Sequence, residues 1–189
     1  MKKLHIGCGK RYFPGWIHID GGDYDHLDIK TNDLFNLPFE MDSVDLIYSS
    51  HVLEYYDRAE AEVLLKSWYR LLKNGGIIRL AVPDFRVMSM LYCNTMQFLD
   101  WDLPATELDD ILGPLYGKML MGDKFIYHKT TYDFTSLATL LRSVGFNKVK
   151  HYDWRKTEHA EFDDHSQAYL PHMDKENGVL ISLNVEAIK

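Results

Sequence analysis

The tightest constraint lies at the start of the chain, in LHIGCGKRYFPGWIHID, Leu4 to Asp20. An apolar run breaks at two glycines, Gly7 and Gly9, resumes as the alternating GWIHID and ends at an acid, Asp20. Two glycines one residue apart after a strand let a ligand come close to the backbone. A dinucleotide fingerprint needs a third glycine, then a helix, then an acid about 20 residues on. Here Tyr12 holds the third position, Pro14-Gly15 breaks a helix within a turn, and Asp20 follows Gly9 by only 11 residues. The G-K-[ST] of a P-loop is missing too. The turn therefore points to a ligand held near the backbone without a pyrophosphate on a helix. A nicotinamide-dependent oxidoreductase stands as the alternative on this kind of fold.

The rest of the chain alternates strands with helices. Lys2 to Ile6 and Gly15 to Asp20 read as strands, His26 to Ile29 as a short third and Ser43 to Ser50 as a buried fourth. Asp57 and Glu60 form a capping-box pattern ahead of an apolar stripe, Ala61, Leu64, Leu65, Trp68, Leu71 and Leu72, with Asn74-Gly75-Gly76 as the stop. Gly76 to Pro83 is again a strand, and this succession with short connections predicts a parallel α/β sheet. DFRVMSMLYCNTMQFL can form a helix, whereas GPLYGKMLMGDKFIYHKTT shows no period, so residues 86–130 read as an irregular insertion or lid. Asp133, the stripe Leu137, Leu140, Leu141 and Val144, and Gly145 mark another helix. NKVKHYDW and GVLISLNVEAI add two strands around a polar stretch, residues 155–177. With no repeat or linker, one domain spanning 1–189 is expected.

Hydrophobic residues make up 46% of 189, enough for a sizeable core. The formal charge of -7 disfavours non-specific nucleic-acid binding, which relies on basic surface. No run is long enough to cross a bilayer and no signal-peptide pattern opens the chain, so a cytoplasmic, membrane-free protein is expected. Cys8 and Cys93 follow no metal spacing and read as reduced thiols. His159, Asp163, Asp164, His165 and His172 fit no standard zinc pattern, so no metal is expected.

S-adenosylmethionine suits such a turn: backbone N–H groups can meet its carboxylate tail, and an acid ending the second strand can accept from both ribose hydroxyls. With HIGCGKRYFPGWIHID, NDLFNLPFEMDSVDLIYSSHVLEYY and LLKNGGIIRLAVPDF in order, the sequence resembles the class I S-adenosylmethionine-dependent methyltransferases, specifically the methyltransferase-11-like branch. The resemblance runs through most of residues 4–84. It implies an α/β Rossmann-like sheet of order 3-2-1-4-5-7-6 with the last strand antiparallel. Helices would cover both faces, with a shortened first helix and a helical or irregular insertion after the fifth strand. It also implies cofactor contacts at Gly7, Cys8, Gly9, Asp20, Asp33, Leu34 and Ser50, with Asp33 near the adenine amine. Tyr55 stands where the family often has His, and the N/D-P-P-Y motif of base-methylating enzymes is absent.

Methyl transfer needs a nucleophile held in line, and a hydroxyl acceptor gains from a base titrating near working pH. His51, Asp84 and His128 are the catalytic candidates. Each has a plainer reading: His51 or Asp84 as a helix cap, His128 as a surface histidine. The loops after residues 6, 20, 50 and 83 should share one rim, with the 155–177 stretch facing it. The expected acceptor is a small molecule or glycan-type metabolite, the oligomeric state stays open, and a non-catalytic cofactor- or partner-binding member is the remaining alternative.

Overall fold

The computed structural model describes residues 1–95 and 106–189. β1 (Lys3–Ile6) and β2 (Ile17–Asp20) pair in parallel, with Leu4 opposite Ile17 and Ile6 opposite Ile19. Only turns join them, so the shortened first helix implied by the resemblance is reduced to none. Pro14 and Gly15 (φ +79°) account for this. β3 (Ile29–Lys30) lies beside β2, and β4 (Val44–Ser50) beside β1.

α1 (Arg58–Leu71) opens on the capping box: Asp57 accepts from the N–H of Ala59 and Glu60, and Glu60 accepts from the N–H of Asp57. It ends at Leu71, ahead of the Asn74-Gly75-Gly76 stop that the sequence suggests. Leu72 is already extended and pairs with Val44, so β5 (Leu72–Pro83) starts there. Gly75 sits inside that strand instead of ending a helix.

α2 (Phe85–Thr95) follows β5, and 96–105 of the expected insertion lie outside the described residues. The remainder is more regular than its sequence implies. It forms α3 (Leu108–Tyr116), which tolerates Pro114 in its last turn, and a hairpin, β6 (Met119–Met121) and β7 (Lys124–Ile126), turned by Gly122 at φ +63°. The hairpin is largely exposed, so no period-2 alternation marks it. α4 (Phe134–Val144) starts at Asp133, which accepts from Ser136, and stops at Gly145 in the left-handed region.

β8 (Asn147–His151) follows. The GVLISLNVEAI stretch then divides in two. β9 (Tyr169–Leu170) pairs antiparallel with β10 (Val179–Leu180), while β11 (Ser182–Ile188) enters the main sheet. That sheet runs β3-β2-β1-β4-β5-β11-β8, with β11 antiparallel to both neighbours. Counted along the chain, this is the expected 3-2-1-4-5-7-6. The carboxyl ends of β1, β2, β4 and β5 therefore meet at one rim.

One sheet face, with Leu4, Ile6, Ile47 and Ile78, packs on Leu64, Leu65 and Trp68 of α1 and on Leu137 and Leu141 of α4. His5 and Tyr48, alternating with those residues, join the other cluster, with Phe13, Trp16 and Leu46. There the Phe13 ring stacks on His5 at 4.2 Å and on His159 at 5.5 Å. His159 is fully buried, and neither ring nitrogen has a hydrogen-bond partner among the described residues. Burial pushes its pKa down to about 4. The unfolded chain, with an ordinary histidine near 6.5, binds the proton first. Stability from this group is therefore full above pH 6.5 and is lost as pH falls toward 4, by up to about 3 kcal/mol. Urea unfolding of wild type and His159→Phe across pH 4 to 7 should show a shallower acid loss in the variant; parallel curves would contradict this.

Candidate active site

Gly7 ends β1 at φ +70°, and a Cβ added there would lie 2.1 Å from Cγ2 of Val52. The position needs glycine for both backbone and space. The N–H groups of Gly7 and Cys8 bond the carbonyl of Ile19 at 2.8 and 3.3 Å. The N–H of Gly9 donates to Asp20 Oδ2 at 2.8 Å, and that of Gly22 to Asp20 Oδ1 at 2.7 Å. This changes the role expected of the turn. The N–H groups of Gly7, Cys8 and Gly9 are spent inside the protein, and the glycines serve close approach and the clamping of Asp20.

A cleft of about 900 Å³ opens over this rim. Gly7, Cys8, Gly9, Asp20, Leu34, Ser50, His51 and His128 all line it. One wall comes from α3 and the β6–β7 hairpin, the other from residues 164–173, including His165, Tyr169 and His172. The polar stretch thus reaches the cleft through Asp164, His165 and His172, whereas His159 turns into the aromatic cluster and Asp163 stays exposed.

Asp33 and Asp84 are not among the lining residues. Asp33 is exposed, and its carboxylate caps the next turn, accepting from the N–H of Phe35 and Asn36 and from Asn36 Nδ2; the Asn36 amide holds its pKa below the usual range. Its neighbours Asn32 and Leu34 reach the cleft instead. Asp84 caps α2, accepting from the N–H of Val87 at 3.2 Å, and burial raises its pKa. Cys8 is buried; burial, then the Asp20 charge, push its thiol up to about 12, so it stays protonated.

His51 follows β4 in the left-handed region, φ +55°, where a side chain strains the backbone. Its N–H bonds the carbonyl of Ala81, fixing it to β5. Its Nδ1 lies 3.3 Å from Oε1 of Glu54, and its Nε2 is buried with no hydrogen-bond partner among the described residues. Burial drives its pKa well down, and His165, with its ring 5.1 Å away, adds to this. His128 enters from the insertion, its Nδ1 at 3.0 Å from the Pro114 carbonyl and its Nε2 at 3.7 Å from the same Glu54 oxygen. Gly117 makes room for it, since a Cβ there would sit 1.8 Å from His128 Nε2.

Glu54 is the residue that sequence reasoning passes over. It is fully buried, and burial pushes its pKa up to about 8. The available signal is an acid three positions after His51 in an otherwise apolar turn, HVLEYY. Arg11, Tyr24 and Tyr169 also line the cleft without any pattern that marks them beforehand. Among the described residues no group of three or more His, Cys, Asp or Glu is placed to hold a metal.

Residues 16–80 match a family model described as a methyltransferase domain. A search of curated protein sequences finds no match. Solved structures resemble the whole chain in fold. A SAM-dependent methyltransferase of Thermotoga maritima, described as a possible histamine N-methyltransferase, is 13% identical with a TM-score of 0.57, covering 100% of this chain and 82% of that one. A SAM-dependent methyltransferase of Archaeoglobus fulgidus is 14% identical, also at 0.57, covering 100% and 86%. Human N-acetylserotonin methyltransferase, solved in complex with SAM, is 15% identical at 0.52, covering 99% and 47%.

The two turn glycines differ in a measurable way. Gly9, at φ +53°, has nothing within 4 Å of an added Cβ, so Gly9→Ala should cost only the left-handed strain, about 1–2 kcal/mol. Gly7→Ala adds a collision with the stiff side chain of Val52 and should cost clearly more. Thermal unfolding compares them; equal losses would contradict the packing described.

Proposed function

We propose that this chain is a class I S-adenosylmethionine-dependent methyltransferase, a reading supported by the family match over residues 16–80 and by the sheet order, and that it binds that cofactor over the ends of β1, β2 and β4 and methylates a small-molecule or sugar-containing acceptor. The observation that carries this is the carboxylate of Asp20. Each oxygen accepts one backbone N–H, which leaves lone pairs for ribose hydroxyls. Gly7 and Gly9 keep side chains out of the way, and Leu34 supplies an apolar surface for adenine, with Asn32 beside it in place of Asp33. Lys10 and Arg11 at the same end suit the cofactor's carboxylate.

When bound, S-adenosylmethionine supplies an electrophilic methyl group and leaves as a neutral thioether. The protein's part is to hold the acceptor in line, exclude water and take its proton. Ser50 and His51 end β4 beneath the cleft, and His51 is the favoured base, with His128 behind it. Asp84, committed to α2 and outside the cleft, serves as a cap in this account. The volume, about 900 Å³, is at the upper end for ligand pockets and gives room for two small molecules. Tyr24 and Tyr56 offer ring faces and hydroxyls suited to a sugar or another hydroxylated metabolite, whereas the hydroxyls of Tyr55 and Tyr169 already bond the Gly117 carbonyl and Arg155. The charge of -7 favours such an acceptor over nucleic acid. No helix among the described residues is long and apolar enough to cross a membrane. The absence of a helix after the glycine turn weighs against the nicotinamide alternative.

Calorimetry with S-adenosylmethionine and S-adenosylhomocysteine tests the cofactor site. The wild type should bind both in the micromolar range, and Asp20→Ala, checked for folding, should weaken binding at least tenfold, about 1.4 kcal/mol. Methyl transfer to a panel of sugars and hydroxylated metabolites then tests the acceptor class. A folded wild type that binds neither compound would overturn the reading.

A further inference from the structure

Glu54 lies where the insertion meets the core. Its backbone carbonyl accepts from the N–H of Lys129 and Thr130, and its carboxyl lies between two cleft histidines. Neither carboxyl oxygen has a hydrogen-bond partner among the described residues, although Oε1 lies 3.3 Å from His51 Nδ1 and 3.7 Å from His128 Nε2. A dry, unpaired carboxylate is costly, so this group favours a state in which a proton neutralises it.

The tautomers follow from the partners. His128 Nδ1 faces the Pro114 carbonyl, which can only accept, so Nδ1 carries a hydrogen. His128 Nε2 is then a bare acceptor whenever the ring is neutral, and it points at another acceptor, Oε1 of Glu54. Two acceptors facing each other in a buried site call for a proton between them. On the other side, His51 Nδ1 lies 3.3 Å from Oε1 without a formed hydrogen bond; a small turn of the ring lets it donate there, which leaves Nε2 as the free base.

We infer that His51, Glu54 and His128 act as one proton-accepting unit, in which Glu54 passes the acceptor's proton from His51 to a buried pair with His128. This rests on the methyl-transfer reading above. In the accepting form Glu54 is a carboxylate and both imidazoles are neutral. As the acceptor oxygen bonds to carbon, its proton goes to His51 Nε2. The proton on His51 Nδ1 moves to Glu54 Oε1, where His128 Nε2 shares it. One proton enters, the unit goes from charge -1 to neutral, and burial favours that neutral end state. Glu54 is thus a positioning and relay residue, touching no substrate. The carboxyl pKa of about 8 places the unit's titration near working pH. The other titratable and charged groups facing it are His165 and Arg11 on the His51 side, and Tyr55, Tyr132 and Arg58 around Glu54 and His128.

Histidine side-chain NMR on the full chain, for wild type, Glu54→Gln and His128→Gln, tests the relay. In the wild type the His51 and His128 signals should move together in one step near pH 8, with His128 in the Nδ1–H form. Glu54→Gln should abolish that step at both histidines, whereas His128→Gln, which leaves the Glu54 carboxyl in place, should shift it at His51. On any acceptor that the wild type methylates, Glu54→Gln should lower kcat about a hundredfold and leave cofactor affinity unchanged. Independent titrations that ignore Glu54→Gln, or His128 protonated at Nε2 alone, would overturn the relay. Calorimetry on the same samples separates the two claims. Cofactor binding without the joint step sinks the relay alone, and a joint step without cofactor binding sinks the methyl-transfer role on which the relay's use depends.

Discussion

The site rests on one carboxylate. Asp20 ends β2 and draws the N–H groups of Gly9 and Gly22 onto its two oxygens. That contact fixes the glycine turn against the end of the neighbouring strand and gives the two strand ends a common geometry. It also places a charged group with spare lone pairs at the floor of the cleft. The parallel pairing of β1 with β2 makes this possible, because it sets Ile6 beside Ile19 and so Gly7 beside Asp20. The chain needs no first helix to hold the turn, since the carboxylate takes over that task.

The two sheet faces divide the labour differently. The face covered by α1 and α4 is almost wholly aliphatic, with the Trp68 indole bonded to the Leu34 carbonyl. That bond ties a helix in the core to a residue of the cleft wall. The other face is built from aromatic and histidine rings, and Tyr48 bonds to the buried Asp164 there. Asp164 in turn holds the segment whose next residue, His165, reaches the cleft. Packing on both faces therefore ends in residues that shape the site.

Much of this is legible in the sequence because the relevant signals are local. Alternation in GWIHID and the apolar run before Ser49 mark β2 and β4, and Asp57 with Glu60 marks the start of α1. The motif series carries the sheet order. Where tertiary pairing decides, the sequence is mute. Leu72 continues a helical stripe, yet pairing with Val44 makes it the first residue of β5. Val179 and Leu180 look continuous with β11 but pair with β9. In the cleft, Gly7 and Asp20 stand out by type and spacing. Glu54 does not, because nothing in HVLEYY says that the acid turns inward toward a histidine 74 positions further on. Conversely, Asp33 is marked by the family resemblance and His159 by its place in the polar stretch, and the structure puts Asp33 at the surface and His159 under Phe13.

The central claim is that the cleft over β1, β2 and β4 holds S-adenosylmethionine with its ribose on Asp20. A crystal structure of the chain with S-adenosylhomocysteine tests it most directly. The account predicts both ribose hydroxyls within hydrogen-bond distance of the Asp20 carboxylate, adenine against Leu34 and the sulfur facing Ser50 and His51. A nucleoside bound elsewhere, with Asp20 still bonded only to Gly9 and Gly22, would contradict it.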